Sequence, residues 1–251
     1  MKLCSLASGS SGNSFFVDTG RTRILVDAGI TLRQLNLRLR RLGVDISEVD
    51  AVVVSHEHTD HTAAIPYLEI PVYVSSLTID IWKNRVSNLK VFESGVPFYI
   101  KDLLVLPFSV PHDALDPVGF SLQTDTNKKV GIVTDIGSVT NLVRERLKDS
   151  NVLVLEFNYD ESLILYSHYP WELKQRIRSR LGHLSNGEAS NLLKSLVHSG
   201  LYHVVLAHLS EVNNKPELAL NTAYSALFDK GVEDIRLSVA PRKRLGEVIE
   251  I

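Results

Sequence analysis

Cysteine is nearly missing from this chain: Cys4 is the only one in 251 residues. No internal disulfide can form and no thiolate-rich metal site can be built, so any bound metal must take nitrogen and oxygen ligands, a donor set suited to zinc, manganese or iron. Long apolar runs are missing too. No stretch approaches the ~20 residues that span a bilayer. The opening Met1-Lys2-Leu3-Cys4-Ser5-Leu6-Ala7-Ser8 is too poor in apolar residues for a signal peptide, so the expected location is the cytoplasm, with no membrane partner. Net positive charge is also lacking: the formal balance is -2, which argues against a chain that coats nucleic acid nonspecifically. Repeats, low-complexity tracts and an evident linker are absent. Hydrophobic residues make up 44%, enough for a substantial core, and strands alternate with helices throughout; the expectation is one domain over residues 1–251.

What the chain does have is concentrated in Ser55-His56-Glu57-His58-Thr59-Asp60-His61, directly after the apolar run Val49 to Val54. Three imidazoles and two carboxylates within six positions, at the end of a buried strand, suit a cation and not a core. An ordinary solvated loop is the bland alternative, and this order of donors at a strand end weighs against it.

Other apolar strands end in the same way, with Asp27, His112, Asp135, Glu156 and His208. Strand ends along one edge of packed sheets form a rim on which a shared site can be assembled. Asp27 is expected to support the ligand loop without touching metal. Alone, His112 would read as a surface histidine and Asp135 as a turn former. The histidine loop, however, lacks a third ligand to close a tetrahedral site and a carboxylate to bridge two cations. Ser8-Gly9-Ser10-Ser11-Gly12-Asn13-Ser14 fits either an anion-holding loop or a plain hairpin turn, and both readings stay open.

Leu32, Leu35, Leu39 and Leu42 follow helical spacing up to Gly43, with the arginines of that segment largely on the other face. Pro170 is expected to open a helix with Trp171, Leu173, Ile177 and Leu181 inward and Lys174, Arg176, Arg178 and Arg180 outward. Ser185 and Glu188 form a capping box for a helix expected to end at Gly200, which puts His183 just ahead of a helix N-terminus. A third basic cluster is Arg242-Lys243-Arg244. Each cluster reads as a solvated face unless it lies beside the metal site.

Taken together, these motifs resemble the metallo-β-lactamase superfamily, and within it the bacterial exonuclease branch of the YycJ/WalJ type. The resemblance is carried by Leu6 to Asn13, the histidine loop, His112-Asp113-Ala114, Asp116 to Phe120, Thr134 to Gly137, Tyr169-Pro170-Trp171, Gly182-His183, Ser185-Asn186, Leu206 to Ser210 and Asn213-Asn214. It implies an α/β fold, the four-layered αβ/βα sandwich, and two divalent metal ions, zinc or manganese. It implies that His56, His58 and His112 hold the first ion, that Asp60, His61 and His208 hold the second, and that Asp135 bridges them. It further implies 5′-to-3′ degradation of duplex DNA, with a possible place in repair, and gives Asp60 and His183 catalytic roles. The chain departs from the pattern at Tyr159, where the family carries a histidine, and in a shortened segment from His61 to Pro71.

Three other readings compete. A hydrolase of a small thioester, lactone or cyclic phosphodiester would use the same ligands but would want an apolar pocket. An RNA-processing nuclease shares the chemistry, but no long Gly/Pro-rich arm is present. A non-catalytic binding module would have lost ligands, and none is lost.

Overall fold

A computed structural model describes the whole chain, Met1–Ile251. The first part lays down β1 (Lys2–Ala7), β2 (Ser14–Asp18), β3 (Arg23–Val26), α1 (Leu32–Arg41), β4 (Ala51–Val53), α2 (Thr59–Thr62), β5 (Val72–Ser75), α3 (Ile79–Trp82) and β6 (Leu89–Phe92). The second part continues with β7 (Phe98–Ile100), β8 (Leu103–Ser109), β9 (Val118–Thr124), β10 (Lys129–Val133), α4 (Asn141–Leu147), β11 (Val152–Glu156) and α5 (Glu161–Tyr166). It ends with α6 (Trp171–Ile177), α7 (Asn186–Leu196), β12 (His203–Ala207), α8 (Pro216–Phe228), β13 (Arg236–Val239) and β14 (Val248–Glu250). Two seven-stranded sheets result, in the orders β14-β1-β2-β3-β4-β5-β6 and β13-β12-β11-β10-β9-β8-β7. Each is mixed: β3 to β6 and β10 to β13 are parallel, and the remaining neighbours are antiparallel.

Three apolar layers hold the sheets and helices together. Leu3, Phe15, Val17 and Ile24 of the first sheet meet Val105, Phe120, Leu122 and Val154 of the second in a shared central cluster. On the outer face of the first sheet, Leu25, Val52 and Val72 pack with Leu35 and Leu39 of α1 and with Trp82 of α3. On the outer face of the second, Leu153, Leu155 and Leu206 pack with Val143, Leu192, Leu193 and Ala223 from α4, α7 and α8. This is the αβ/βα order expected from the sequence, and each fully buried Leu or Phe contributes about 1.5–3 kcal/mol by leaving water.

Local chemistry accounts for most element ends. Thr31 caps α1 by accepting from the Gln34 N–H, and Arg38, Arg40 and Arg41 fall in its last turn, where positive charge meets exposed carbonyls. Arg38 differs from its neighbours in being buried, donating to the carbonyls of Leu6 at 2.6 Å and Lys243 at 3.1 Å. Helix α7 has its Ser185/Glu188 capping box but stops at Leu196, short of Gly200. The chain turns there because His198 takes the Gly200 N–H on Nδ1 and reaches the Ser150 carbonyl with Nε2.

Helix α6 is shorter than expected, ending at Ile177, so its apolar residues do not enter a core. Trp171 and Leu181 are exposed, and Leu173 and Ile177 are half-buried. Nor does its basic row face solvent throughout: Lys174 is buried, with Nζ donating to the carbonyls of Leu165 and Ser167. Strands β6 and β14 have no counterpart in the sequence reading.

Candidate metal centre

The parallel strands point their carboxyl ends to one rim, where short loops can converge side chains from several strands. At the carboxyl ends of these parallel strands three non-glycine residues adopt left-handed backbone: Asp27 (φ 62), Asp135 (φ 55) and His208 (φ 55). This conformation costs each on the order of 1–3 kcal/mol and turns the chain abruptly, so that the side chain is delivered across the rim.

Asp27 organises the histidine loop. Its Oδ1 accepts from the Ser55 N–H at 2.7 Å, its Oδ2 accepts from the Ser55 hydroxyl at 2.8 Å, and the same oxygen lies 2.8 Å from His61 Nδ1. The loop is pressed against its neighbours: the Asn13 N–H donates to the Asp60 carbonyl at 2.7 Å, and a Cβ on Gly29 would sit 1.6 Å from that same carbonyl oxygen. Asn13 also reaches Asp60 Oδ2 at 3.4 Å and His61 Nε2 at 3.0 Å. Most of the Ser8–Ser14 loop therefore serves packing. Ser8, Asn13 and Ser14 are buried, the Ser8 hydroxyl accepts from the His208 N–H, and Ser10 alone lines the chamber described below.

All seven side chains expected to hold metal come together. His56, His58 and His112 form one group and Asp60, His61, Asp135 and His208 another, the ligand-competent atoms of each group lying within 4.8 Å of one another. Asp135 faces both, with Oδ2 3.0 Å from His61 Nε2 and Oδ1 3.6 Å from His208 Nε2 and 3.9 Å from His112 Nε2. Nδ1 of four imidazoles is already engaged: His56 by the Ser55 hydroxyl, His61 by Asp27, His112 by the Gly182 carbonyl and His208 by Glu156. That arrangement fixes ring orientation and leaves Nε2 toward the centre, as in protein metal sites. His208 Nε2 is buried without a hydrogen-bond partner, a costly state for a polar atom unless a cation meets it. The donors are nitrogen and carboxylate oxygen only, and the residues fit divalent metal ions.

Electrostatics follow from this crowding. Burial, with His61, His112 and His58 close by, depresses His56 well below the ordinary imidazole range. Burial would lower His61 and His208 likewise, but carboxylates prevail: Asp135 and Asp27 hold His61 well above its usual value, and Asp135, Asp60 and Glu156 lift His208 to about 10. Asp135 is driven well below its normal range by His208 and His61 in spite of its burial.

Glu156 is the residue whose importance the sequence understated. It is fully buried, and Oε1 lies 2.8 Å from Nδ1 of both His183 and His208, while Oε2 accepts from the backbone N–H of Ile136 at 2.9 Å and Leu184 at 3.4 Å. Burial would raise its carboxyl, yet the two imidazoles bring it down to about 2. Its place at the end of an apolar strand was the only trace in the sequence. Glu57 points away from the ligands and accepts from the Leu115 N–H at 2.9 Å, tying the histidine loop to the loop that carries His112. Tyr159 is buried beside Ser185 and lines no part of the chamber.

The two groups open into a chamber of about 270 Å³. His58, Asp60, His112, Asp135, His183 and His208 line one side of it. Tyr169, Leu173, Ile177 and Leu181 also line it, together with polar residues that include Asn158, Ser210 and Arg176, whose guanidinium lies 3.1 Å from Asp113. Arg178 and Arg180 do not line it.

A family model described as a beta-lactamase superfamily domain matches residues 22–208. The chain is 32% identical over 235 residues to exodeoxyribonuclease YycJ of Bacillus anthracis, covering 90% of this chain and 89% of that protein. It is 31% identical over 233 residues to exodeoxyribonuclease WalJ of Streptococcus pneumoniae serotype 2, covering 88% and 86%. Among solved structures, the metallo-β-lactamase fold protein YhfI from Bacillus subtilis matches with a TM-score of 0.76 at 19% identity, over 100% of this chain and 98% of that one. Human tRNase Z, short form, matches at 0.69 and 16% identity, over 100% and 99%. At such identities these two structures speak to the fold alone.

Proposed function

Because the chain belongs to the metallo-β-lactamase superfamily, as a hydrolase in the branch of the exodeoxyribonucleases YycJ and WalJ, we propose that it removes nucleotides from the 5′ end of DNA. The preferred substrate is duplex, the context repair and the location the cytoplasm, with residues 1–251 acting as one domain. The observation that carries this reading is the convergence of two donor groups on Asp135, beside a histidine held by a buried carboxylate.

In this reading His56, His58 and His112 would hold one divalent cation, Asp60, His61 and His208 would hold a second, and Asp135 would serve both, with zinc or manganese as the metal. When bound, the pair supplies Lewis acidity and positive charge against a phosphodiester. The chain's own residues do the rest. Asp60 lines the chamber and orients the attacking water, whose oxygen forms the new bond to phosphorus and gives up a proton to solvent as the bond from phosphorus to the 3′-oxygen breaks. His183, with Nδ1 on Glu156, has Nε2 left to give a proton to the departing 3′-oxygen, a task worth about 10²–10⁴-fold in rate.

Purified, metal-loaded protein incubated with 5′-phosphorylated duplex DNA, single-stranded DNA and RNA tests the reading. Duplex DNA is expected to shorten from its 5′ end, Asp60→Ala to abolish this, and His183→Ala to slow turnover about 10²–10⁴-fold with metal content intact. Absence of nuclease activity with zinc, manganese and magnesium, or an unaltered Asp60→Ala enzyme, refutes it. The apolar residues that line the chamber favour a second reading, a small-molecule hydrolase, which the same experiment would bring forward by finding no polymer cleaved.

A further inference from the structure

Four apolar side chains line the chamber of the candidate metal centre yet lie outside the apolar clusters that hold the sheets and helices together. Leu173 and Ile177 stand one turn apart on α6, and Tyr169 and Leu181 flank them. Apolar surface kept out of the core and turned toward a site full of charge calls for an occupant that is apolar at one end and anionic at the other. We propose that this wall is a stacking subsite for the base of the terminal nucleotide, adjacent to the phosphodiester being cut. The inference rests on the nuclease reading above and adds to it a place for the base.

Three observations support it. First, the wall is rigidly mounted: Lys174 staples α6 to the end of α5 through the Leu165 and Ser167 carbonyls at 2.8 and 2.7 Å. Second, it is joined to the reacting groups. The His183 N–H donates to the Ile177 carbonyl at 2.9 Å, and the Asp113 N–H, next to His112, donates to the Leu181 carbonyl at 3.0 Å. A Cβ on Gly182 would lie 2.2 Å from the Ile177 carbonyl oxygen, and one on Gly137 would lie 2.5 Å from the Arg180 carbonyl oxygen, so both glycines let the wall sit directly against the segments bearing His183 and Asp135.

Third, the size fits a single nucleotide. A volume of about 270 Å³ lies just under the range of ~300–1,000 Å³ usual for small-molecule pockets. A base pair does not enter such a space, so the terminal base leaves its partner before cleavage. Arg176, at the edge with its guanidinium on Asp113, puts a cation beside the wall where the nucleotide's anionic end passes. Stacking on aliphatic and aromatic faces tolerates every base, so the subsite admits all four.

The test compares first-nucleotide release from two 5′-phosphorylated duplexes, one with a natural terminal residue and one with an abasic residue in its place. Stacking of one base is worth roughly a 5- to 150-fold advantage. Wild-type protein is therefore expected to show a higher kcat/KM on the natural end by about that factor, with little dependence on which base is present. Tyr169→Ala and Leu173→Ala are each expected to reduce the advantage by slowing the natural end alone, leaving the abasic rate and the metal content unchanged, while Tyr169→Phe retains it. Equal wild-type rates on the two ends, or variants that slow both ends alike, overturn the subsite and leave the nuclease reading standing. A wild type that cuts neither end overturns both.

Discussion

Replacing Glu156 by glutamine keeps the shape of the side chain and removes one acceptor and the charge. The carboxylate serves four donors: Nδ1 of His183 and of His208 on Oε1, and the N–H groups of Ile136 and Leu184 on Oε2. A glutamine amide has a single acceptor oxygen, so its NH₂ group confronts either the two backbone donors or two imidazole nitrogens that accept it only as the tautomer protonated on Nε2, which has no lone pair left for a metal. Each buried donor left unpaired costs about 1–3 kcal/mol.

The titration of the group leads to a similar size. A carboxyl brought from its ordinary 4.5 to about 2 reflects about 3 kcal/mol favouring the ionised form in the folded chain. Because the folded value lies below the unfolded one, that stabilisation is complete at neutral pH and is lost as the pH falls toward about 2. Glu156→Gln is thus expected to lower the stability of the metal-free protein at pH 7 by about 2–4 kcal/mol, or roughly 5–15 °C in Tm for a chain of this size. Circular dichroism melts at pH 7, repeated at lower pH where the gap should narrow, read this directly. Metal affinity, titrated in parallel, is expected to fall about 10–100-fold, since His208 loses the group that orients it. A variant that melts within about 1 °C of wild type and binds metal equally well would refute the inference that this carboxylate holds the centre.

Gly29→Ala is expected to displace the histidine loop, because the added carbon would occupy the space of the Asp60 carbonyl; loss of bound metal or of soluble protein checks this, and normal metal content would contradict it. Cys4, whose thiol burial pushes up to about 12, is expected to resist iodoacetamide at pH 8 in the folded protein and to react once the chain is denatured, as mass spectrometry would record. Arg38→Met removes the two hydrogen bonds to the Leu6 and Lys243 carbonyls while sparing the cost of burying a guanidinium, so the net loss is expected to be about 1–3 kcal/mol, with faster proteolysis around residues 241–246 as the companion readout.

The histidine loop was legible in the sequence because its spacing is local: a strand ends and five ligand-competent residues follow within six positions. His112, Asp135 and His208 were legible only through their common position after apolar strands and through likeness to a family. Backbone geometry left no comparable trace, since left-handed conformation is announced by glycine, whereas Asp27, Asp135 and His208 adopt it without one. The burial of Glu156 and Arg38 was not legible because a charged residue is usually solvated, and only long-range contacts reveal it. The end of α6 was misjudged because the apolar spacing continues through Leu181; the chain leaves the helix at Ile177, whose carbonyl takes the His183 N–H. Strand β6 shows little apolar alternation on an exposed edge, and β14 finds its partner, β1, at the opposite end of the chain.

The donor set is divided between the two sheets: His56, His58, Asp60 and His61 follow β4 of the first, while His112, Asp135 and His208 follow β8, β10 and β12 of the second. A polypeptide severed between β6 and β7 would leave each fragment with an incomplete coordination sphere, so neither piece is a hydrolase in isolation. Recovery of activity on mixing would report docking of the sheets as sensitively as any spectroscopic probe, making the chemistry itself a sensor of whether the halves have met.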